Sequence, residues 1–420
     1  MPMSDEKTLN RRQFLARSAA GAAALAVGAV GGPASGRVLG ANDRIRMAVI
    51  GCGGMGTGHV QQLTNMSKNV DLAKDPELNM ELVAVCDVYD VHTDRAARIS
   101  GGKGYRYYKE MLQKEQLDGV VVATPDHWHA QCALDCMDAG LDVYLQKPMT
   151  LYWDEAKKVR DKVKETKRVL QVGAQGCSDD AVWKAADVVK SGTLGPMVWS
   201  QCGAYRNVPG GDWNYGLRKE AVPGQNLDWN EWLGPAPKRP YDIDRFSNFR
   251  KFWDYSGGLA TDLLYHSLSH MLIICGPQFP TRVVATGGNV AAFDREVPDS
   301  FHVLCDYDKD WTMAMHATGA NQQGLPEVVR GVYATLSLEG PGVVVRPEEP
   351  YKDKSEYREI GREPRDDHMV NFLRCMRSRK APHLDAETGY RTEVPIALSV
   401  MAFRQKREVR FDPAKEKLVG

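Results

Sequence analysis

The 420-residue chain has no surplus of either charge: 54 lysines and arginines balance 54 aspartates and glutamates. With no global field to gather polyanions, nucleic acid and anionic membrane surfaces are not expected partners. After the first forty residues there is no run of 18 uninterrupted apolar residues, so no stable membrane insertion is expected of the mature protein. Zinc-like spacing is also missing. The nine cysteines stand at 52, 86, 132, 136, 177, 202, 275, 305 and 375, with no histidine–cysteine cluster beside them. Cys86 and Cys275 lie inside apolar runs, where cysteine behaves as a small hydrophobe. Buried free thiols, and no metal, are the expectation. Internal repeats are absent, and the length suggests two or three domains at about 100–200 residues each.

What is present begins with Asn10-Arg11-Arg12-Gln13-Phe14-Leu15, followed over 16–32 by small, weakly apolar residues carrying one charge, Arg17. That run is too short and too rich in glycine and alanine to hold a bilayer. An arginine pair before a mild apolar run reads as a twin-arginine export signal, with a disordered basic terminus as the alternative. The signal implies the export machinery as a partner, a periplasmic or secreted location, and cleavage between 31 and 41. Residues 1–41 are therefore set apart as signal and linker.

From 45 onward, short apolar strands alternate with helical patterns. Strands are expected at 45–50, 82–88, 119–123, 142–145 and 169–172, with helices between them at 57–63, 91–100, 108–113, 130–139 and 151–166. Alternation of this kind predicts a doubly wound parallel sheet, over 43–175. The pattern then changes. A helix at 180–191 precedes a strand at 197–204. A stretch at 205–255, rich in proline, glycine and tryptophan, shows little periodicity. A helix at 259–275 leads to strands at 282–286, 300–307, 311–317 and 331–338. Short turns between these strands read as antiparallel. Helices at 368–377 and 391–405 are expected to pack back across the domains. The fold class is α/β, an N-terminal Rossmann domain followed over 176–420 by an α+β domain with a large, mostly antiparallel open sheet.

Four motifs carry chemistry. Gly51-x-Gly53-x-x-Gly56 lies between a strand and a helix. There the first glycine allows the tight turn, the second lets a pyrophosphate approach the backbone, and the third lets helix and strand pack closely. Asp87, at the end of the second strand, is placed to accept hydrogen bonds from ribose hydroxyls and repel a 2′-phosphate, favouring NAD over NADP. Thr124-Pro125-Asp126-His127-Trp128-His129 and Gln146-Lys147-Pro148 stand at the carboxyl ends of strands, where parallel sheets bind ligands. Either histidine of the first loop reads equally well as an ordinary loop residue. Finally, Gly257-Gly258-x-x-x-Asp262-x-x-x-His266 puts Asp262 and His266 one helical turn apart on one face. Lys147 and His266 converging on a sugar hydroxyl would take its proton as hydride leaves the same carbon, with Asp262 orienting the histidine. A structural ion pair is the alternative. In 205–255, Trp229 and Trp232 are expected to anchor the stretch, while Trp213 and Tyr215, beside Gly210-Gly211-Asp212, are expected to line the pocket.

These residues resemble the Gfo/Idh/MocA oxidoreductases, named for glucose–fructose oxidoreductase and inositol dehydrogenase, across essentially the whole mature chain. The resemblance rests on 48–55, 124–129, 146–148 and 257–266. The segments 227–235 and 368–373 look like the secreted bacterial subgroup with twin-arginine signals. It implies that Lys147 lies near the nicotinamide and that Asp262 and His266 match the family's catalytic pair, with Gln146 standing where the family has glutamate. The implied NAD-binding set is Gly51, Gly53, Gly54, Met55, Gly56, Asp87, Thr124, Pro125, His129, Gln146, Lys147 and Gln175. The implied carbohydrate-binding set is His127, Trp213, Tyr215, Asp262 and His266. A homo-oligomer is expected. Three activities fit: oxidation of a sugar, glycoside or polyol hydroxyl with tightly bound NAD; a redox-neutral, NAD-dependent glycoside cleavage at the same site; or a non-catalytic NAD-dependent sensor. The residues after Gly258 do not look like the motif of NAD-dependent N-acetylgalactosaminidases.

Overall fold

The computed structural model describes residues 44–69, 75–308, 311–340 and 342–419. The twin-arginine segment and its cleavage region lie outside the described residues.

The first sheet is built from β1 (Ile45–Ile50), β2 (Met80–Cys86), β3 (Lys103–Tyr105), β4 (Gly119–Val122), β5 (Asp142–Gln146) and β6 (Leu170–Gly173). Its order is β3-β2-β1-β4-β5-β6 and every pairing is parallel. The crossovers are α1 (Gly54–Lys68), α2 (Asp90–Ser100), α3 (Tyr108–Lys114), α4 (His129–Asp138) and α5 (Trp153–Thr166). Central strands such as Gly119–Val122 are buried along their whole length, as expected of a sheet covered on both faces. The direction of winding reverses between β1 and β4, opening a crevice at their carboxyl ends.

After α6 (Asp180–Lys190) the chain enters a ten-stranded sheet at β7 (Met197–Tyr205). Its remaining strands are β8 (Arg282–Gly288), β9 (Ser300–Tyr307), β10 (Trp311–Thr318), β11 (Val328–Gly331), β12 (Ala334–Glu339), β13 (Gly342–Pro347), β14 (Arg358–Gly361), β15 (Val409–Asp412) and β16 (Lys417–Val419). All pairings are antiparallel except β7 with β10. The single strand expected at 331–338 is in fact two, because Val332 and Tyr333 donate their N–H groups to Pro196 O and Leu194 O and turn the chain.

The 205–255 stretch folds around its own aromatic cluster of Trp229, Trp232, Phe246, Phe252 and Tyr255, with Tyr89 of the first domain inserted. Trp229 and Trp232 stack with centroids 4.8 Å apart, in the anchoring role expected of them. Asp90 N donates to Asn226 O and Asp228 N to Val88 O, so this stretch is laced to the loop after β2. The two late helices do pack back. Phe372 and Met376 of α10 (His368–Ser378, after α7 at Trp229–Leu233, α8 at Ile243–Ser247 and α9 at Tyr265–Cys275) share a core with Met47 and Tyr144. From α11 (Ala386–Gln405), Glu387 accepts a bond from Arg160 of α5 at 2.9 Å.

Candidate active site

The crevice at the switch point is a cleft of about 700 Å³, bounded on one side by the strand ends of the first sheet and on the other by the 205–266 segment. Its floor begins at Gly51, which follows β1 with φ +85°, and a Cβ there would sit 2.6 Å from the Thr124 amide nitrogen. A Cβ on Gly56 would collide with the Gly51 carbonyl, so this glycine serves helix–strand contact and does not face the cleft. Gly53 and Gly54 are open, with only His92 near the first, at 3.9 Å. No side chain caps α1 and its first turn holds no acidic residue. Those uncapped N–H groups fit a pyrophosphate.

Asp87 stands at the same rim. One carboxylate oxygen accepts from Cys52 N at 2.8 Å and the other from Tyr89 N at 3.0 Å, with His92 Nδ1 at 3.2 Å. Burial works against its charge, but His92 and these N–H groups outweigh it and hold the carboxyl below its usual range. A ribose-binding carboxylate needs that state, and the residues present fit NAD.

At the other end, three polypeptide segments meet on one carboxylate. Lys147, just beyond β5, donates from Nζ to Asp262 Oδ1 and to Asp262 main-chain O, both at 2.6 Å. Arg250 Nε reaches the same Oδ1 at 2.9 Å, and Trp213 Nε1 donates to Oδ2 at 2.8 Å. The Lys147 and Asp262 side chains are only 9% and 12% exposed. Burial opposes the charge on Asp262, yet Arg250 and Lys147 overcome it and drive the carboxyl far below its usual range. Asp262 lies in a π-helical turn, Ala260–Leu264, that opens α9 (Tyr265–Cys275), where a continuous α-helix was expected. Such turns are frequent at functional sites. His266 also lines the cleft, and its pKa is pushed down to about 3 by burial first and by Lys147 second.

Several expectations are corrected by this geometry. Asp262 does not orient His266: its oxygens are taken by Lys147, Arg250 and Trp213, and it makes no hydrogen bond to the imidazole. Trp213 is buried rather than presented to a ligand, in the left-handed region at φ 65°, and reaches the site only through Asp262. His127 is buried against the Trp232 and Tyr255 rings with Nε2 on Trp232 O at 3.1 Å, away from the cleft lining. His129 is fully enclosed. Its nitrogens face Pro148 O at 2.7 Å and Thr124 O at 2.9 Å, so it ties the two cleft loops together without lining the cleft. Gln175 is exposed and donates to Tyr144 Oη at 3.2 Å, because β6 is an edge strand two places from the switch point.

Met55, Thr124, Pro125 and Tyr215 line the cleft as expected, Tyr215 at 57% exposure. Gln146 does too; its Oε1 accepts from Lys147 N at 2.8 Å and its amide nitrogen meets His59 Nε2 at 2.9 Å. Burial lowers the His59 pKa to about 4, leaving a neutral ring that accepts from an amide donor. A carboxylate at 146 has no proton to offer there. Sequence reasoning missed Arg206, Arg218 and Arg250, all in the cleft wall, since no periodicity marks the 205–255 stretch. Arg206 alone had a signal, the position directly after a strand end. The short helices α7 (Trp229–Leu233) and α8 (Ile243–Ser247) place Trp232, Phe246 and Ser247 on the same wall.

Two family models match in succession: the NAD-binding Rossmann fold of an oxidoreductase family over 45–174, and that family's C-terminal alpha/beta domain over 179–286. The chain belongs to the Gfo/Idh/MocA oxidoreductases. Its N-terminal domain is an NAD-binding Rossmann domain. Among curated relatives, a glycosyl hydrolase family 109 protein of Shewanella pealeana is 25% identical over 184 residues, 38% of each chain. An inositol 2-dehydrogenase of Rubrobacter xylanophilus is 30% identical over 170 residues, 40% of this chain and 46% of that one. The aligned parts thus span less than half of these relatives. Among solved structures, levoglucosan dehydrogenase in complex with NADH and L-sorbose matches with a TM-score of 0.67 at 14% identity, covering 89% of this chain and 100% of that one. This Gfo/Idh/MocA protein therefore shares the two-domain fold of that enzyme.

Proposed function

We propose that this protein oxidises a hydroxyl of a sugar, glycoside or polyol, with Lys147, Asp262 and His266 as its acid–base machinery. The observation that carries the reading is the pairing of Lys147 with Asp262 beside a half-buried, neutral His266, in the cleft that the Gly51–Gly56 loop opens. NAD, when bound, supplies the hydride acceptor. An ammonium has three donors, and Lys147 gives two to Asp262, leaving one for a substrate oxygen. His266 is neutral through the physiological range, so a ring nitrogen is open to the hydroxyl proton, and the low pKa set by burial and Lys147 makes it a weak base that gives the proton up readily. Asp262 fixes the position of Lys147, and Trp213 and Arg250 fix Asp262. Tyr215, exposed at the rim, offers a flat face to sugar C–H groups.

The family 109 relative favours a second reading, redox-neutral cleavage in which the same groups return the proton and the glycosidic bond is lost. One experiment separates the two. Purified protein is mixed with polyols and glycosides while absorbance of reduced nicotinamide and free reducing sugar are followed. Net reduction without cleavage supports oxidation, cleavage without net reduction supports the second reading, and neither with any sugar overturns both. Arg11, Arg12 and the 16–32 run support export by the twin-arginine route, folded and with NAD already bound. Outside the cytoplasm, retention and recycling of the cofactor would be required.

A further inference from the structure

The substrate end of the cleft holds three cations, Lys147, Arg250 and Arg206, and they are not equivalent. Lys147 and Arg250 converge on Asp262 Oδ1, Lys147 also reaching the Asp262 main-chain O, so one carboxylate answers two positive charges. Asp126, which lines the cleft with Asp87, Glu231 and Asp262, accepts from Thr261 Oγ1 at 3.0 Å and is committed to the turn that carries Asp262. Arg206 follows β7 directly, with its main-chain N–H bonded to Thr318 O at 2.9 Å, so its root is fixed by the sheet. Its guanidinium is different. The side chain is 51% exposed, lines the cleft, and makes one ion pair, from Nη1 to Asp212 at 3.6 Å, too long for a hydrogen bond. Asp212 is itself buried, one of its oxygens has no partner, and burial raises its pKa against the opposing pull of Arg206. Arg206 is also close enough to His266 to help depress that histidine's pKa.

A forked, five-donor cation beside the proton acceptor, held by one long ion pair and otherwise open to the cleft, is a binding group for an oxyanion. We infer that Arg206 recognises an anionic group on the substrate, so that the preferred ligand is a sugar carrying a carboxylate or a phosphate ester. The inference rests on the sugar oxidoreductase reading above and narrows its substrate class. Lys147, with one donor left, and Arg250, held on Asp262 through Nε, add to the field, and Arg206 is the most exposed of the three cations.

The test uses the full chain saturated with NAD and calorimetric titration of three probes: glucose, glucuronate and glucose 6-phosphate. At least one anionic probe is expected to bind about tenfold to a hundredfold more tightly than glucose, the range of a charge-assisted bidentate contact. Which of the two does so tells carboxylate from phosphate. That preference should fall toward unity in Arg206→Gln, whose melting temperature should stay near wild type because the half-exposed side chain makes only one long ion pair. Equal binding of the three probes, binding of neither anion, or a preference that survives Arg206→Gln overturns the inference. Anion-selective binding lost in Arg206→Gln, together with no NAD reduction or cleavage by any sugar, leaves the anion site standing and overturns the catalytic reading instead.

Discussion

Replacing Lys147 by methionine keeps the length of the side chain and deletes its ammonium. The structure then sets two separate expectations. For stability, the deletion removes one partner of a buried ion pair whose side chains are 9% and 12% exposed. Breaking such a pair typically costs about 3–5 kcal/mol. Asp262 keeps Arg250 at 2.9 Å and Trp213 at 2.8 Å, so the low end, about 3 kcal/mol, applies. At about 2–4 °C per kcal/mol for a domain of roughly 200 residues, the melting temperature should fall by on the order of 6–12 °C. For function, loss of a donor aimed at the reacting oxygen should reduce turnover about 10²–10³-fold. Adding Asp262→Asn takes the counter-charge from Arg250, so the double variant should melt lower still and regain none of the turnover. A third readout is independent of both. Lys147 is the second cause, after burial, of the low His266 pKa of about 3, so in Lys147→Met that pKa should rise, read by NMR of labelled histidine among the ten in the chain. Turnover within threefold of wild type in Lys147→Met would refute a reacting role for this lysine, whatever the melt shows.

Asp87→Asn should lower the preference for NAD over NADP by about tenfold or more, since one charge-assisted bond and one repulsion are lost together; an unchanged ratio in competitive titrations removes Asp87 from ribose recognition. Gln146→Glu puts a carboxylate against the neutral His59 and should raise that histidine's pKa from about 4 toward neutrality, which NMR reads directly; no movement means the two side chains are not coupled. His127 and His368 have folded pKa values lowered to about 4, against 6.5 in the open chain, so they favour the fold above pH 6.5 and lose that contribution as the pH falls toward 4. At pH 5 the loss is about 2 kcal/mol for each, and melting should be clearly lower there than at pH 7; pH-independent melting over that range contradicts their burial as neutral rings. Arg11→Lys with Arg12→Lys should leave the protein folded, NAD-bound and in the cytoplasm; fractionation that finds it exported at the normal level ends the twin-arginine argument.

Much of this protein was legible in the chain because the information was local. A strand, a glycine turn and a helix within 45–68 determine the dinucleotide loop, since glycine requirements at Gly51 and Gly56 are properties of a few neighbouring residues. Alternating short apolar runs likewise determined the parallel sheet, and the positions of Lys147, Asp262 and His266 at strand and helix ends marked them as site residues. The roles within the site were decided elsewhere. Asp262 could have served His266, four residues on, but its oxygens are claimed by Lys147, 115 residues away, and by Arg250 and Trp213 from the aperiodic stretch. His127 and His129 look alike in sequence, yet packing seals one against Trp232 and spends the other on two loop carbonyls. Gln175 ends a strand as Lys147 does, and only the strand order, which puts β6 at an edge, takes it out of the cleft. Hydrogen-bond geometry and charge act over a few ångströms in space, whatever the separation along the chain. Sequence therefore determined which groups were on offer, and the tertiary fold decided which of them meet.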